Sequence, residues 1–357
     1  MTEGLVMVLS GFPRRSETFA LNEIAALAAR GMLTAVFATK PGDGLSPHPV
    51  AAILAPMIEQ LPTGTPSEQG AALVARLRGR RVTGVHAYFA HTPTDVAQAA
   101  SCRLGVRYGF STHAKDARKV APEALRQRGL GAACVVACNT DVARTLRTEG
   151  VATHLIPHGV DLSHFRPTPV PPGPPTRLLA VGRLVAKKGF DVLLEALTAL
   201  QGPWELTLVG DGPERARLEG LATERGIARQ VHFAGSCTHA ALPRLYAEAQ
   251  VVVVPSVEDA TGDRDGLPNV VLEAMASGRA VVASDIGATA SAILSGRTGL
   301  LVPPREAPAL TRALERLVRQ PALGVDFGRH ARRRVEEHFD LGRCTRRLER
   351  VLETAYA

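Results

Sequence analysis

The sequence alternates short apolar or β-branched runs with longer helical patterns, and this rhythm constrains the fold more than any other feature. In the first half, strand-like runs at 5–10, 33–39 and 82–90 are separated by helical stretches such as 21–30. Strands that alternate with helices predict a parallel sheet with helices on both faces. The first half is therefore predicted to be an open, doubly wound α/β domain.

A proline-rich stretch, RPTPVPPGPPTR at 166–177, interrupts this rhythm. Proline neither donates to a sheet nor continues a helix, so the stretch predicts an extended connector. The alternation resumes behind it, with strand-like runs at 177–182, 204–210, 251–255 and 280–284. We expect four segments along the chain: an N-terminal Rossmann-like domain of 1–166, a linker of 167–176, a second Rossmann-like domain of 177–334, and a basic C-terminal helix at 335–357 that packs back on the first domain.

Composition is consistent with this organisation. A chain of 357 residues exceeds what one core usually organises, and 45% hydrophobic residues supply two cores. No apolar run approaches the roughly 18 to 20 residues that span a bilayer, and the N-terminus lacks the features of a secretory signal. A cytoplasmic location is expected. The odd number of cysteines, with no CxxC pair, predicts buried free thiols rather than zinc ligands or disulfides.

The formal charge of +8, with arginine-rich clusters at 76–81, 329–334 and 343–350, favours anionic partners. These include phosphate-bearing substrates and an anionic membrane surface. Aromatic residues make up only 4% and are not interleaved with the clusters, so no nucleic-acid partner is expected.

Two cations follow the first strand of the second half. Arg183 comes directly after the run at 177–182, and Lys188 lies beside Gly189 where a helix begins. Ligands of open α/β sheets bind outside the carboxyl ends of the strands. Two cations near a helix N-terminus would neutralise a diphosphate, so this segment is predicted to bind one.

Carboxylates and a helix start follow the strand at 251–255. Asp265 and Glu273 are separated by seven residues, which places the second carboxylate about two helical turns deeper. Ionised carboxylates suit the vicinal hydroxyls of ribose and a hexose. The segment between them, Gly266, Leu267, Pro268 and Asn269, is predicted to bind the ligand, with the backbone N–H groups of its non-proline residues facing it at a helix start where Pro268 is favoured.

These motifs resemble glycosyltransferase family 4, which has the GT-B fold of two Rossmann-like domains facing a central cleft. The resemblance implies that the domain of 1–166 binds the acceptor and that the domain of 177–334 binds the nucleotide-sugar. The family's Gly-Arg-Leu-x-x-x-Lys-Gly element, which binds the donor diphosphate, is matched at 182–189, and its Glu-x7-Glu element stands as Asp265 and Glu273. The stretches at 156–167 and 208–214 also match. The chain departs from the family at three positions, where Asp265 and Ser291 each stand in place of a usual glutamate and His158 stands in place of a usual asparagine.

The opening GFPRRSETFALNEI at 11–24 resembles a motif of exopolysaccharide and colanic-acid-type transferases. Ser16 or Thr18 would also serve as a helix cap, with the carboxylate of Glu17 in the first turn. The resemblance assigns acceptor binding to Ser16, Glu17, Thr18 and His86. His113, after a strand-like run, matches a family histidine near the donor sugar and the acceptor.

The resemblance implies a retaining hexosyltransferase that works by front-side displacement, with an acceptor that is a saccharide, expected to be lipid-linked. Its catalytic residues would be His113, Arg183, Lys188 and Asp265. No Asp-x-Asp element is placed to hold a divalent ion, so neither a metal nor a cofactor is expected. The donor would be a UDP- or GDP-sugar. Two alternatives stay open, a transferase for a small soluble acceptor and a non-catalytic nucleotide-sugar-binding protein.

Overall fold

The computed structural model describes residues 4–14, 18–43 and 49–357, with only the backbone given for Thr18, Lys115 and Asp116. The chain divides into two compact units. Unit 1 comprises Met1–Gly159 and Leu341–Ala357, and unit 2 comprises Val160–Asp340. None of the helices in the described part is long and apolar enough to cross a membrane.

Unit 1 is built on a seven-stranded parallel sheet in the order β3-β2-β1-β4-β5-β6-β7. Its strands are β1 Gly4–Phe12, β2 Leu33–Pro41, β3 Ile58–Gln60, β4 Val82–Ala87, β5 Arg107–Thr112, β6 Val135–Ala137 and β7 His154–Leu155. Its helices, before the C-terminal one, are α1 Thr18–Ala29, α2 Pro49–Leu54, α3 Pro66–Arg76, α4 Thr92–Leu104, α5 Ala114–Lys119, α6 Pro122–Leu130 and α7 Thr140–Thr148.

The sheet of unit 1 is buried on both faces. Successive residues of β1 point to opposite sides of a strand, so Val6 and Val8 enter one core cluster while Leu5, Met7 and Leu9 enter another. Strands buried in this way have near-continuous apolar sequences, as β1 does. The prediction of a doubly wound α/β domain is confirmed for the first half.

Unit 2 repeats the architecture with a six-stranded parallel sheet in the order β10-β9-β8-β11-β12-β13. Its strands are β8 Thr176–Val181, β9 Trp204–Val209, β10 Val231–Gly235, β11 Val251–Val254, β12 Ala280–Ser284 and β13 Leu300–Val302. Its helices are α8 Phe190–Thr198, α9 Arg215–Glu224, α10 Leu242–Glu248, α11 Asn269–Ala276, α12 Thr289–Ala292, α13 Ala307–Arg319 and α14 Pro321–His338.

The proline-rich stretch lies inside unit 2, and the boundary between the units falls before it, at Gly159 and Val160. The buried guanidinium of Arg279 donates to the carbonyls of Thr168 and Pro169, and the amide of Gln250 donates to the carbonyl of Pro171 at 3.0 Å. These bonds attach the stretch to unit 2. The linker predicted for 167–176 is therefore part of unit 2 and does not mark the boundary between the units, because side chains of unit 2 donate to its carbonyls.

The C-terminal helix α15, Leu341–Tyr356, belongs to unit 1. Leu348, Leu352 and Tyr356 enter the same core cluster as Leu5 and Met7 of β1. The helix starts later than the predicted residue 335, because α14 ends at His338 and a bridge between Val160 and Asp340 interrupts the helical backbone.

Candidate functional site

In unit 2 the strand order changes direction between β8 and β11, and ligands of open α/β sheets bind at such switch points. The loops that follow these two strands are packed backbone to backbone. The N–H of Val257 donates to the carbonyl of Lys187 at 2.8 Å. Gly189 has φ +64°, and a Cβ placed there would lie 2.0 Å from the carbonyl oxygen of Pro255. Only glycine fits this contact, which brings the predicted cation and carboxylate segments together.

Lys188 and Asp265 form an ion pair at this edge of the sheet. Lys188 Nζ lies 2.7 Å from Asp265 Oδ2, and the Ser256 hydroxyl donates to the same oxygen at 2.8 Å. Lys187 Nζ lies 3.6 Å from the other oxygen of Asp265 and 3.1 Å from Asp263. Burial raises the pKa of Asp265, but the two lysines and the hydroxyl outweigh burial and hold that pKa below its usual range. Asp265 is therefore ionised.

Glu273 lies on α11 with its carboxylate buried. The hydroxyl of Tyr246, on α10, donates to it at 2.8 Å. Burial raises the pKa of Glu273 to about 7, against the opposing effects of the Tyr246 hydrogen bond and the positive charge of Lys188. The site therefore combines a carboxylate with a lowered pKa, Asp265, and one that titrates near neutrality, Glu273.

The segment from Gly266 to Asn269 leads into α11. Pro268 is the residue before the first helical turn rather than within it, and α11 begins at Asn269. The carbonyl of Gly266 accepts from the N–H of Ala288 at 2.9 Å, so the loop after β12 supports this turn. Leu267 packs against the core cluster that contains β11 and α11.

Arg183 differs from the other predicted donor-site residues. Its side chain is exposed, and no carboxylate pairs with it in the described part of the chain. Its loop is nevertheless tightly held, because a Cβ at Gly210 would lie 1.8 Å from the carbonyl oxygen of Gly182. The predicted match at 208–214 thus packs against the segment that carries Arg183.

In unit 1, His113 follows β5 and is buried among aromatic rings. The ring centres of Phe19, Tyr88, Phe89 and His158 lie 4.8–5.0 Å from that of His113. Burial, followed by the charges of neighbouring histidines, holds the pKa of His113 well below its usual value. His113 is neutral at physiological pH, which suits hydrogen bonding to a hydroxyl rather than charge pairing.

A buried acid lies next to this ring cluster. Glu23, on α1, contacts His158 Nδ1 with one oxygen at 2.7 Å and accepts from the Tyr88 hydroxyl with the other. Burial lowers the pKa of His158, but Glu23 and the nearby Cys138 outweigh burial and raise that pKa to about 10. Glu23 and His158 therefore form a buried ion pair.

The structure gives His86 a different role from the acceptor binding predicted for it. His86 lies inside β4, with Nδ1 2.9 Å from the Tyr356 hydroxyl and Nε2 2.9 Å from the Ser111 hydroxyl. Both ring nitrogens are used within the core, so His86 connects the sheet to α15 and has none left for a ligand. Ser16 and Glu17 lie outside the described residues, as does the side chain of Thr18.

Several residues of these sites were not singled out from the sequence. In unit 2 they are Lys187, Ser256 and Tyr246, and in unit 1 they are Glu23, Tyr88 and Cys138. Lys187 could have been found from its position beside Lys188. Glu23 and its partner His158 are 135 positions apart, and no local spacing relates them.

Two family models match the chain in succession. The model described as Glycosyltransferase Family 4 matches residues 16–164, and the one described as Glycosyl transferases group 1 matches residues 175–320. Together they cover most of both units.

Curated relatives match parts of the chain. The amylovoran biosynthesis glycosyltransferase AmsK of Erwinia amylovora is 34% identical over 182 residues, 50% of this chain and 45% of AmsK. The putative colanic acid biosynthesis glycosyltransferase WcaL of Escherichia coli is 32% identical over 203 residues, 55% of this chain and 49% of WcaL. The matched region thus spans about half the length of these relatives.

The fold is shared with solved structures along the whole chain. The crystal structure of HepE from Anabaena, in complex with UDP, superposes with a TM-score of 0.83 at 19% identity, covering 99% of this chain and 100% of that one. The likeness establishes the GT-B fold.

Proposed function

The chain belongs to glycosyltransferase family 4, and from that premise we propose that it is a retaining hexosyltransferase that builds an extracellular or cell-surface polysaccharide. The donor is a UDP- or GDP-sugar, and the acceptor is a saccharide. The printed names of the relatives AmsK and WcaL, both polysaccharide biosynthesis glycosyltransferases, support this class of product.

The observation that carries the proposal is the pairing of Lys188 with Asp265 at the carboxyl ends of β8 and β11. A donor diphosphate competes with Asp265 for the ammonium group of Lys188. Binding then leaves the Asp265 carboxylate, still close to Lys187, to accept hydrogen bonds from the sugar. Glu273, deeper along α11, accepts from the ribose hydroxyls. UDP bound to the HepE structure is in keeping with a nucleotide ligand for this fold.

Catalysis is electrostatic and positional in this proposal. The bond between the anomeric carbon and the diphosphate oxygen breaks, and Arg183, Lys188 and the N–H groups at the start of α11 stabilise the negative charge that develops on that oxygen. The acceptor hydroxyl attacks the anomeric carbon from the same face, and its proton passes to the departing diphosphate. His113, held neutral, hydrogen-bonds the transferred sugar.

The acceptor is proposed to be lipid-linked and to be met at the cytoplasmic face of an anionic membrane. Exposed apolar side chains near α2, Ile53 and Met57, and exposed arginines on α15 support reversible contact with such a surface. Ser16, Glu17 and Thr18 remain the proposed acceptor-binding residues.

Donor binding and transfer are tested separately on the full chain. A matching nucleotide-sugar among UDP-, GDP- and ADP-hexoses should raise the melting temperature by mass action. Transfer to saccharide-lipid acceptors, followed by NMR at the new anomeric carbon, should show the donor's configuration and should persist in EDTA. Inverted product would refute the retaining mechanism, and activity that EDTA abolishes and Mn²⁺ restores would refute metal independence. Donor binding with no transfer to lipid-linked or soluble acceptors would instead identify a nucleotide-sugar-binding protein.

Adjacent lysines provide a matched pair of variants for the same assay. Lys188→Met should lower kcat by about 100-fold or more, because the leaving-group charge loses its nearest cation. Lys187→Met should cost less than about tenfold, because Lys187 lies farther from Asp265 and also pairs with Asp263. Equal losses from both variants would show that general loop damage, and not leaving-group stabilisation, explains the effect.

A further inference from the structure

Three side chains at the carboxyl edge of the unit 1 sheet present metal-ligand atoms to one another. His113, Cys138 and His158 follow β5, β6 and β7, and their ligand atoms all lie within 4.8 Å of one another. We propose that this His-Cys-His cluster binds one zinc-class divalent transition-metal ion. Imidazole and thiolate ligands select such ions over Mg²⁺ or Ca²⁺, which prefer oxygen ligands.

The surroundings of the cluster already provide the second shell of a metal site. Histidines that bind a metal usually donate their other N–H to a carboxylate. His158 does so to Glu23 at 2.7 Å. Its Nε2 atom is buried and, among the described residues, has no hydrogen-bond partner of normal geometry. Nε2 becomes a ligand atom when an ion displaces its proton.

The thiol and the carboxylate are held as well. The side-chain amide of Asn139 donates to Cys138 Sγ at 3.2 Å, which fixes the position of the sulfur atom. The Tyr88 hydroxyl donates to the second oxygen of Glu23. A divalent ion would be balanced by one thiolate and one nearby carboxylate, so the buried group carries no net charge.

Three protein ligands leave a fourth tetrahedral position open, to be filled by water. In a closed tetrahedral site neighbouring ligand atoms are about 3.3–3.8 Å apart, given metal–nitrogen and metal–sulfur bonds of about 2.0–2.3 Å. The present spread of up to 4.8 Å therefore requires the side chains to close by up to about 1 Å, with some rotation of the two nearly parallel imidazole rings. Binding displaces the Cys138 thiol proton and the proton on His158 Nε2 to solvent.

The consequence for activity rests on the proposed function. His113 is the side chain proposed to hydrogen-bond the transferred sugar, and an ion ligated by His113 removes its lone pair from that role. The metal therefore inhibits transfer rather than supporting it.

Cobalt titration of the full chain tests the site without any donor or acceptor. Co²⁺ bound by a thiolate gives a charge-transfer absorption band that oxygen and nitrogen ligands alone do not give. The wild type should bind one Co²⁺ per chain with this band, and Zn²⁺ should displace it. Cys138→Ser should lose the band. Cys102→Ser, which changes an exposed thiol of the same unit, should keep it.

Two further observations keep the outcome decisive. His158→Asn should weaken Co²⁺ binding at least tenfold while the band persists at saturation, and circular dichroism checks that each variant is folded. A wild type without a saturable band, or a band that survives Cys138→Ser, overturns the proposal. Activity is measured separately. The Zn²⁺ concentration that halves the rate of transfer should be more than tenfold lower for the wild type than for Cys138→Ser. Absence of any transfer would count against the proposed function while leaving the cobalt result unaffected.

Discussion

Glu273 is the residue of unit 2 whose protonation changes in the physiological range. Its pKa is raised to about 7 chiefly by burial, whereas Asp265 has a lowered pKa and stays ionised. His113 stays neutral because its pKa is well below the usual value. A change in donor binding near pH 7 would therefore report on Glu273 among these three residues.

Donor affinity should rise with pH through about 7. Below that pKa the Glu273 carboxyl is protonated and accepts hydrogen bonds as a neutral group. Above it the carboxylate makes charge-assisted bonds, which are stronger by about 1 kcal/mol, or about fivefold in Kd. Calorimetric titration with a nucleotide-sugar on either side of the pKa measures this difference. Glu273→Gln, which is neutral at every pH, should bind with the weaker affinity throughout. A pH dependence that survives in Glu273→Gln would assign it to another group.

The stability of the free protein should change with the opposite sign. The folded-state pKa of Glu273 lies above its ordinary value of 4.5, so the folded protein holds a proton that the unfolded chain releases. The contribution of Glu273 to stability is fully present below about 4.5 and is lost as the pH rises through about 7. Donor binding and folding therefore place opposing demands on this carboxyl.

At the scale of elements, the site depends on two loops that touch through their backbones. Gly189 and Gly226 both have left-handed φ values, +64° and +71°, but a Cβ at Gly226 would meet nothing within 4 Å, whereas one at Gly189 would collide with the carbonyl of Pro255. Substitutions at these two glycines of unit 2 therefore distinguish the cost of backbone strain from the cost of breaking the contact between the two loops.

Gly226→Ala should lower the free energy of unfolding by about 1–2 kcal/mol, the usual penalty for a non-glycine residue in this conformation. Gly189→Ala should cost clearly more, because the loop after β8 must also move away from the loop after β11. Urea unfolding measures both costs. Donor binding should be lost only in Gly189→Ala, since Lys188 is adjacent to the displaced residue. Equal destabilisation by both substitutions would show that the loops can separate without cost.

How far the site can be predicted from the sequence depends on how its residues are connected. Lys188 and Asp265 could be placed together because each follows a strand, and parallel strands end at one edge of the sheet. Asp265 and Glu273 lie on one continuous segment of loop and helix, so their separation in the sequence predicts how far apart the two carboxylates lie. The contact of Tyr246 with Glu273 depends instead on how α10 lies relative to α11. His86 was predicted to bind the acceptor because no local pattern indicates its hydrogen bond to Tyr356, which is 270 positions away in the sequence.

At the scale of the whole molecule, the two-domain α/β architecture follows from the sequence pattern, but the boundaries do not. The prolines at 167–175 predict an extended connector at the domain boundary, yet Arg279 holds this stretch on unit 2. The chain also returns to unit 1 at its end, since α15 contributes Tyr356 to the unit 1 core. The amphipathic pattern of α15 shows that the helix packs its apolar face on some apolar surface. It does not show which unit provides that surface.

Tyr356 provides a test of whether unit 1 unfolds on its own. Its ring packs so closely on the sheet that a Cβ at Gly84 would lie 2.1 Å from it, and its hydroxyl bonds His86. Tyr356→Ala should destabilise unit 1 by about 3–5 kcal/mol through the cavity it leaves. Tyr356→Phe should cost only about 1–3 kcal/mol, because it leaves one nitrogen of His86 without its hydroxyl partner.

Hydrogen exchange locates where that stability is lost. In Tyr356→Ala, amides of β4 and β5 should exchange faster, while those of β8 and β11 keep their protection, because every contact of Tyr356 described above lies in unit 1. Phe327→Ala, which truncates a buried ring of α14 in unit 2, should give the reverse pattern. If either substitution instead lowers protection equally in both sheets, the two units unfold as one cooperative body, and α15 stabilises the whole chain rather than the unit whose core it completes.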